Sequence, residues 1–233
     1  MPAPFFYEQN IVTADSQFIL SEETSKHCVQ VLRMKTGEEL NITDGKGNLF
    51  SATIISTDKK SCVVKINSAT FSKQIQRKIS IAVSLIKNAG RFEWFLEKAT
   101  EMGVCEIIPL VCHRTERQHF RFDRMNNILI AAMLQSQQTW LPVLQNPTAF
   151  EAVIDSSQYP QKLIAHCEEN KKAEIKDLQL TNEVQILIGP EGDFTADEIK
   201  AAIHKNYFPV NLGNTRLRTE TAGVAASALL INL

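Results

Sequence analysis

The chain has 233 residues, 44% of them hydrophobic, and a formal net charge of −1. That length can bury a large core or two smaller ones. The near-balance of charge excludes the global basic footprint of many nucleic-acid binders, so any RNA or DNA partner must meet a local patch. The five cysteines, Cys28, Cys62, Cys105, Cys112 and Cys167, form no C-x-x-C pair. They predict reduced, mostly buried thiols in a cytoplasmic protein rather than a zinc or disulfide framework. The N-terminal residues lack the basic and apolar regions of a secretory signal. No apolar run approaches the roughly 20 residues a membrane span needs.

Residues 1–72 read mainly as β. Short runs rich in β-branched and aromatic residues at Phe5–Tyr7, Phe18–Leu20, Glu39–Thr43, Leu49–Ser56 and Cys62–Ile66 are separated by turn signals. Asp44-Gly45-Lys46-Gly47 has the composition of a hairpin connection. One helix interrupts the series. Ser21 suits its N-cap, Glu22 and Glu23 suit its first turn, and His27, Val31 and Met34 fall near one face. Several short strands with one helix predict a small barrel. The polar stretch Ser72–Lys78 has no apolar period and marks the boundary to a second domain, residues 73–233.

The pattern then changes to strands alternating with helices. Ile79–Ile86 reads as a strand. Arg91–Met102 places Phe92, Phe95, Leu96, Ala99 and Met102 on one helical face and ends at Gly103. Cys105–Val111 is a strand, and Phe122–Gln138 a helix with Met125, Ile128, Leu129 and Ala132 inward. Strands at Leu163–Cys167, Val184–Ile188 and Pro209–Leu212, with helices at Ala196–Lys205 and Glu220–Ile231, complete the alternation. The expected fold is α/β, with a largely parallel sheet covered on both faces.

Such sheets hold ligands in loops at the carboxyl ends of their strands. Two glycine-punctuated loops qualify: Gly189-Pro190-Glu191-Gly192, and Leu212-Gly213-Asn214 running on through Arg216 and Arg218. Thr195 and Glu198 form a capping box that starts a helix at Ala196. Thr219 is placed to cap the last helix, and Ala222, Gly223, Ala225 and Ala226 let a neighbour pack close to it. The first loop lacks the lysine of a phosphate-cradling loop, and no G-x-G-x-x-G occurs. A tight strand-to-helix turn and an ordinary capped helix account for the same residues as well as a pocket does. Arg218, wedged between an apolar residue and a cap, is the position that favours function.

Leu187-Ile188-Gly189-Pro190-Glu191-Gly192, with Leu212-Gly213 and Leu217-Arg218-Thr219-Glu220-Thr221-Ala222, resembles the signature of the RsmE family. Its members are ribosomal small-subunit RNA methyltransferases that methylate N3 of a uridine. The likeness continues through Lys87, Arg91-Phe92-Glu93 and Glu97–Val104, through Pro109 with Arg114-Thr115, and through Gln135-Ser136. It reaches His27 with Val31-Leu32-Arg33 near the N-terminus. The resemblance implies a SPOUT-type domain with a deep C-terminal trefoil knot, preceded by a PUA-like β-barrel. It also implies a homodimer, S-adenosyl-L-methionine as methyl donor, and no metal.

By the same resemblance three loops wrap the donor: His166–Glu168, Gly189–Gly192 and Leu212–Leu217. The implied cofactor-binding residues are His166, Leu187, Gly189, Pro190, Glu191 and Gly192, then Leu212, Gly213, Asn214, Leu217 and Arg218. Adenine is expected against backbone amides and the side chains of Leu187, Leu212 and Leu217. Arg218 is expected to stabilise a developing uridine anion. Glu191 or Glu220 is expected to orient the base or accept its proton, although capping a helix is an equally ordinary role for such a carboxylate.

The chain departs from the family pattern at two places. Asp193 stands where the family has a second glycine, putting a side chain and a negative charge beside the pocket. Gln138 stands where the family has an arginine. Contacts to the expected partner, 16S rRNA of the small ribosomal subunit, fall to Lys26, Arg33 and Lys35 in the barrel and to Arg114 and Arg117 beyond the Cys105 strand. Arg121 and Arg124 either extend that row or form a solvated helix face. Two other functions fit the same residues: a non-catalytic RNA-binding protein whose donor site Asp193 has disabled, and an α/β enzyme acting on a small molecule.

Overall fold

The computed structural model describes residues 3–11, 16–74, 77–116, 119–168 and 172–233. The chain forms two compact units, one of residues 1–74 and 133–141, the other of residues 75–132 and 142–233.

In the first unit, β1 (Phe5–Tyr7), β2 (Gln17–Ile19), β3 (Glu39–Thr43), β4 (Asn48–Ser56) and β5 (Val63–Phe71) form one sheet in the order β1-β3-β4-β5-β2. β1 runs parallel to β3 and the other pairs are antiparallel. Alternate residues face the core: Leu40 and Ile42 from β3, Phe50, Ala52 and Ile54 from β4, Val64 from β5. β5 runs five residues past the predicted Ile66, because its far end pairs with Asn48–Ser51 although its own residues there are exposed.

The helix after Ser21 is shorter than its sequence pattern. Ser21 caps α1 (Glu22–Lys26), which passes at once into a π-helical turn, His27–Val31. The wider turn rotates the side chains, so Cys28 and Met34 are buried while His27 and Val31 are exposed, rather than the three predicted positions sharing a face. Residues 133–141 join this unit through Trp140, whose indole donates to Ser72 O at 2.8 Å and meets Phe71 edge-on. Gly47 makes this possible. It sits at φ +96°, and a Cβ there would lie 2.6 Å from the Trp140 ring.

The second unit contains β6 (Lys78–Ser84), α2 (Ala89–Met102), β7 (Glu106–Val111), α3 (Phe122–Gln135), β8 (Val143–Leu144), β9 (Thr148–Ala149) and α4 (Phe150–Ser156). After these come β10 (Gln161–Ala165), β11 (Ala173–Glu174), β12 (Glu183–Ile188), α5 (Ala196–His204), β13 (Tyr207–Asn211) and α6 (Thr219–Asn232). The last three residues of α3 count with the first unit. The sheet order is β11-β13-β10-β12-β6-β7-β8, with β9 beside β7, and every pair is parallel.

A parallel sheet is buried on both faces, and β6 and β12 accordingly read as near-continuous apolar runs. Ala82, Leu110, Ile164 and Leu187 point into a cluster with Phe150 and Val153 of α4 and Ile199 and Ala202 of α5. The intervening Ile81, Val83 and Ile186 are equally buried, and α6 lies against β6 and β12 and packs on α2. A polar chain through the sheet is satisfied: Tyr207 Oη donates to Gln185 Oε1 at 2.6 Å, and Gln185 Nε2 donates to Ser80 Oγ at 3.2 Å.

α4 and the short strands β8, β9 and β11 have no counterpart in the sequence reading, being too brief to show a period. α3 stops at Gln135, three residues short of the expected Gln138, and Gln137 at φ 55° turns the chain away. Cys28, Cys62 and Cys112 are buried, Cys105 is partly so, and Cys167 is exposed. Burial pushes the Cys28 and Cys112 thiols up to about 12. Among the described residues no helix is long and apolar enough to cross a membrane. No metal-like cluster of His, Cys, Asp or Glu occurs there either.

Candidate active site

Three neighbouring strands end level with one another. Ala165 of β10 pairs with Ile188 of β12 on one side and with Val210 of β13 on the other. Their loops therefore leave the same edge of the sheet, where open α/β folds hold ligands. Between them lies a cavity of about 520 Å³, within the size range of small-molecule sites.

Each loop brings predicted residues to this cavity. The β10 loop contributes His166, the β12 loop Gly189, Pro190 and Glu191, and the β13 loop Leu212, Leu217 and Arg218. Leu187 does not line it. Its side chain is fully buried in the core on the other side of β12, and Ile188 lines the cavity instead. In a strand successive side chains alternate faces, so only one of this pair could. Gly192, Gly213, Asn214 and Glu220 also stand outside the lining.

His166 is buried, and neither of its ring nitrogens has a partner among the described residues. Burial holds its pKa below the ordinary value, and the charge of Lys172, which donates to His166 O at 2.7 Å, adds to that effect. The imidazole is therefore neutral near pH 7, with one donor and one acceptor available. Arg218 is exposed, and its guanidinium makes no ion pair among the described residues.

Thr219 corrects the predicted cap. The N-cap position of α6 is Arg218, with no side-chain capping bond, and the Thr219 hydroxyl donates instead to Gly189 O at 3.0 Å. That bond ties the start of α6 to the β12 loop. The capping box of α5 forms as expected, and Glu198 accepts a further bond from His113 N at 2.8 Å.

Two residues outside the predicted set shape the site. Asp193 lies in the left-handed region at φ 62°. One carboxylate oxygen accepts from Cys167 N at 2.8 Å and the other from Phe194 N at 2.9 Å, so the side chain clamps the β10 loop to the β12 loop. Arg91, in the first turn of α2, lies 3.4 Å from Glu191 and 3.7 Å from Glu220. Glu220 is buried, and its Oε2 has no partner among the described residues. Asp193 was visible as a departure from pattern, but its bonding partner was not. No local signal links Arg91 to a loop 100 residues away.

The candidate RNA-binding residues have varied surroundings. Lys26 pairs with Glu22 at 2.7 Å on the surface of α1. Arg33 is exposed and holds φ 55° where the π-helical turn ends, a conformation uncommon for a non-glycine residue. Lys35 is exposed, and its backbone amide donates to Glu38. Arg114 donates to Gly192 O at 2.7 Å, and its chain covers Gly192, so it braces the β12 loop. Arg117 lies outside the described residues. Arg124 forms a two-pronged pair with Glu93 at 2.6 and 3.0 Å.

Residues 73–231 match the RNA methyltransferase domain family, and residues 20–67 match the RNA methyltransferase PUA domain. Along nearly its whole length the chain is similar to Ribosomal RNA small subunit methyltransferase E of Rickettsia conorii, at 26% identity over 95% of this chain and 92% of that protein. The chain belongs to the RsmE family of RNA methyltransferases. Two solved structures superimpose closely on this chain. A probable rRNA-methyltransferase from Porphyromonas gingivalis shares 36% identity with a TM-score of 0.90, covering 98% of each chain. A putative methyltransferase from Legionella pneumophila, solved with bound S-adenosylmethionine, shares 29% identity with a TM-score of 0.88, covering 99% of this chain and 97% of that one. In RsmE terms the first unit holds the PUA match and the second holds nearly all of the methyltransferase match.

Proposed function

We propose that this protein transfers a methyl group from S-adenosyl-L-methionine to N3 of a uridine in the decoding region of 16S rRNA. In this reading residues 1–72 are an RNA-binding barrel, and residues 73–233 are a SPOUT domain whose C-terminal loops are threaded as a trefoil knot. The protein acts in the cytoplasm as a homodimer. The observation that carries the proposal is the three-loop cavity at the level ends of β10, β12 and β13. Its residues fit an adenosyl group: a neutral His166 whose ring nitrogens have no partner among the described residues, apolar Ile188, Leu212 and Leu217, and the backbone of the Gly189 loop. The donor supplies an electrophilic methyl group on a sulfonium, so the protein's task is positioning and proton removal.

Arg218 faces the cavity with no competing ion pair among the described residues and is suited to stabilise the uridine anion. Of the two carboxylates, Glu191 reaches the cavity, which suits it to orient the base or take the N3 proton. Glu220 stands behind Arg91 and is suited to hold that guanidinium in place. The clamp made by Asp193 argues against a disabled donor site, since its carboxylate joins two cavity loops instead of blocking them.

The test is transfer of labelled methyl from S-adenosyl-L-methionine to small subunits lacking the native modification, with mass spectrometry to place the label. Wild-type protein should yield one 3-methyluridine, and Arg218→Ala about 100-fold less at equal donor binding. Undiminished transfer by Arg218→Ala would remove Arg218 from the mechanism. RNA binding with neither donor binding nor transfer would leave the RNA-binding alternative in its place.

A further inference from the structure

Beside the three-loop cavity lies a second opening of about 450 Å³, lined by Lys87, Asn88, Arg91 and Glu191. Arg91 and Glu191 line both spaces, so the two openings share a wall. We propose that this second opening seats the target nucleotide, with Lys87 on a backbone phosphate and Arg91 at the boundary between nucleotide and donor. The proposal rests on the methyl-transfer reading above and adds to it the place where RNA enters.

Three observations support it. Methyl transfer requires the acceptor to approach in line with the breaking bond, so an acceptor seat must adjoin the donor cavity without overlapping it. The shared wall has that relation.

Charge is the second. Lys87 Nζ lies 3.1 Å from Glu116 Oε2, and both side chains are more than half exposed, at 72% and 57%. Such a pair contributes little to stability and exchanges readily for a phosphate. Asn88 caps α2 by accepting from Gly90 N at 3.0 Å, which directs the start of a 14-residue helix toward the opening, an arrangement that favours an anion. Glu191 is the one carboxylate in the lining, and Arg91 stands against it.

The third is the support behind Arg91. Its contacts to Glu191 and Glu220, 3.4 and 3.7 Å, are longer than those of a closed charge-assisted pair. The guanidinium is therefore aimed by two carboxylates without being saturated by either. Glu220 is buried behind it, and its Oε2 has no partner among the described residues. That geometry fixes a cation at the junction and leaves its remaining N–H groups for a ligand.

Lys87→Ala in the full chain tests the seat, because Lys87 is exposed and lies outside the donor cavity. The expected result is a KM for small-subunit RNA raised about 3- to 10-fold, with the loss falling on KM and not on kcat. The slope of log affinity against log salt should fall by about 1, and Lys87→Arg should recover most of the loss. S-adenosyl-L-methionine affinity, read by calorimetry, should stay within about twofold of wild type. An unchanged KM and salt slope would overturn the proposal, as would a loss confined to donor affinity. If wild-type protein transfers no methyl group, the reaction proposed above fails, and filter binding still decides the seat. Weaker RNA binding by Lys87→Ala then supports it, and equal binding overturns it.

Discussion

At the scale of single residues, Asp193 shows how a departure from a family pattern can be absorbed. Its φ of 62° is one a glycine adopts freely, and holding a side chain there costs on the order of 1 kcal/mol. Two bonds from the Cys167 and Phe194 amides to its carboxylate offset that cost. Asp193→Gly should therefore relax the backbone while releasing the β10 loop. We expect S-adenosyl-L-methionine affinity to fall about tenfold, near the lower end of the roughly 1.5–3 kcal/mol that one hydrogen bond to a charged group contributes, with Asp193→Asn keeping most of it. Calorimetric titration checks this, and an affinity equal to wild type in the glycine variant would dismiss the clamp. The residue's identity was plain in the sequence. Its partner was not, because the Cys167 amide belongs to a different strand's loop, 26 residues away.

At the scale of elements, the packing of α6 on α2 decides where the Arg218 end of α6 sits. Gly223 faces Phe95 so closely that an added Cβ would meet the ring at 2.6 Å. Alanine ordinarily favours a helix interior over glycine by about 1 kcal/mol. Here the overlap outweighs it, and Gly223→Ala should destabilise the protein by about 1–3 kcal/mol in urea denaturation. Combining it with Phe95→Leu should restore part of the loss. The small residues of this helix were readable in advance, and so was the apolar face of α2. That they meet was not. The same holds for Thr219, whose hydroxyl suits a cap by sequence and instead donates to Gly189 O once the β12 loop lies within reach.

At the scale of the whole molecule, α6 bears on assembly. After Glu220 it carries no charged residue, yet Val224, Ala225, Ala228, Leu229 and Ile231 are only partly buried. An apolar helix that its own chain covers incompletely is a reason to expect a second copy against it, in keeping with the proposed homodimer. Ala225→Arg should put an unpaired charge into that contact and raise the dimer dissociation constant by about 100-fold or more. Sedimentation velocity across a range of protein concentrations reads this directly. A variant that sediments as wild type does would place the contact elsewhere.

The sequence by itself determined the α/β alternation, the turns at Gly45 and Gly103, the caps at Ser21 and Thr195, and the glycine loops after β12 and β13. These are local properties, set by residues within a few positions of one another, where hydrophobic period and backbone preference act without help from the rest of the chain. Only the tertiary structure decided which strands end level, that Ile188 and not Leu187 faces the cavity, that residues 133–141 join the first unit through Trp140, and that Arg91 stands between Glu191 and Glu220. Those outcomes depend on contacts between segments tens of residues to more than a hundred residues apart, and packing, not local propensity, selects which of them meet.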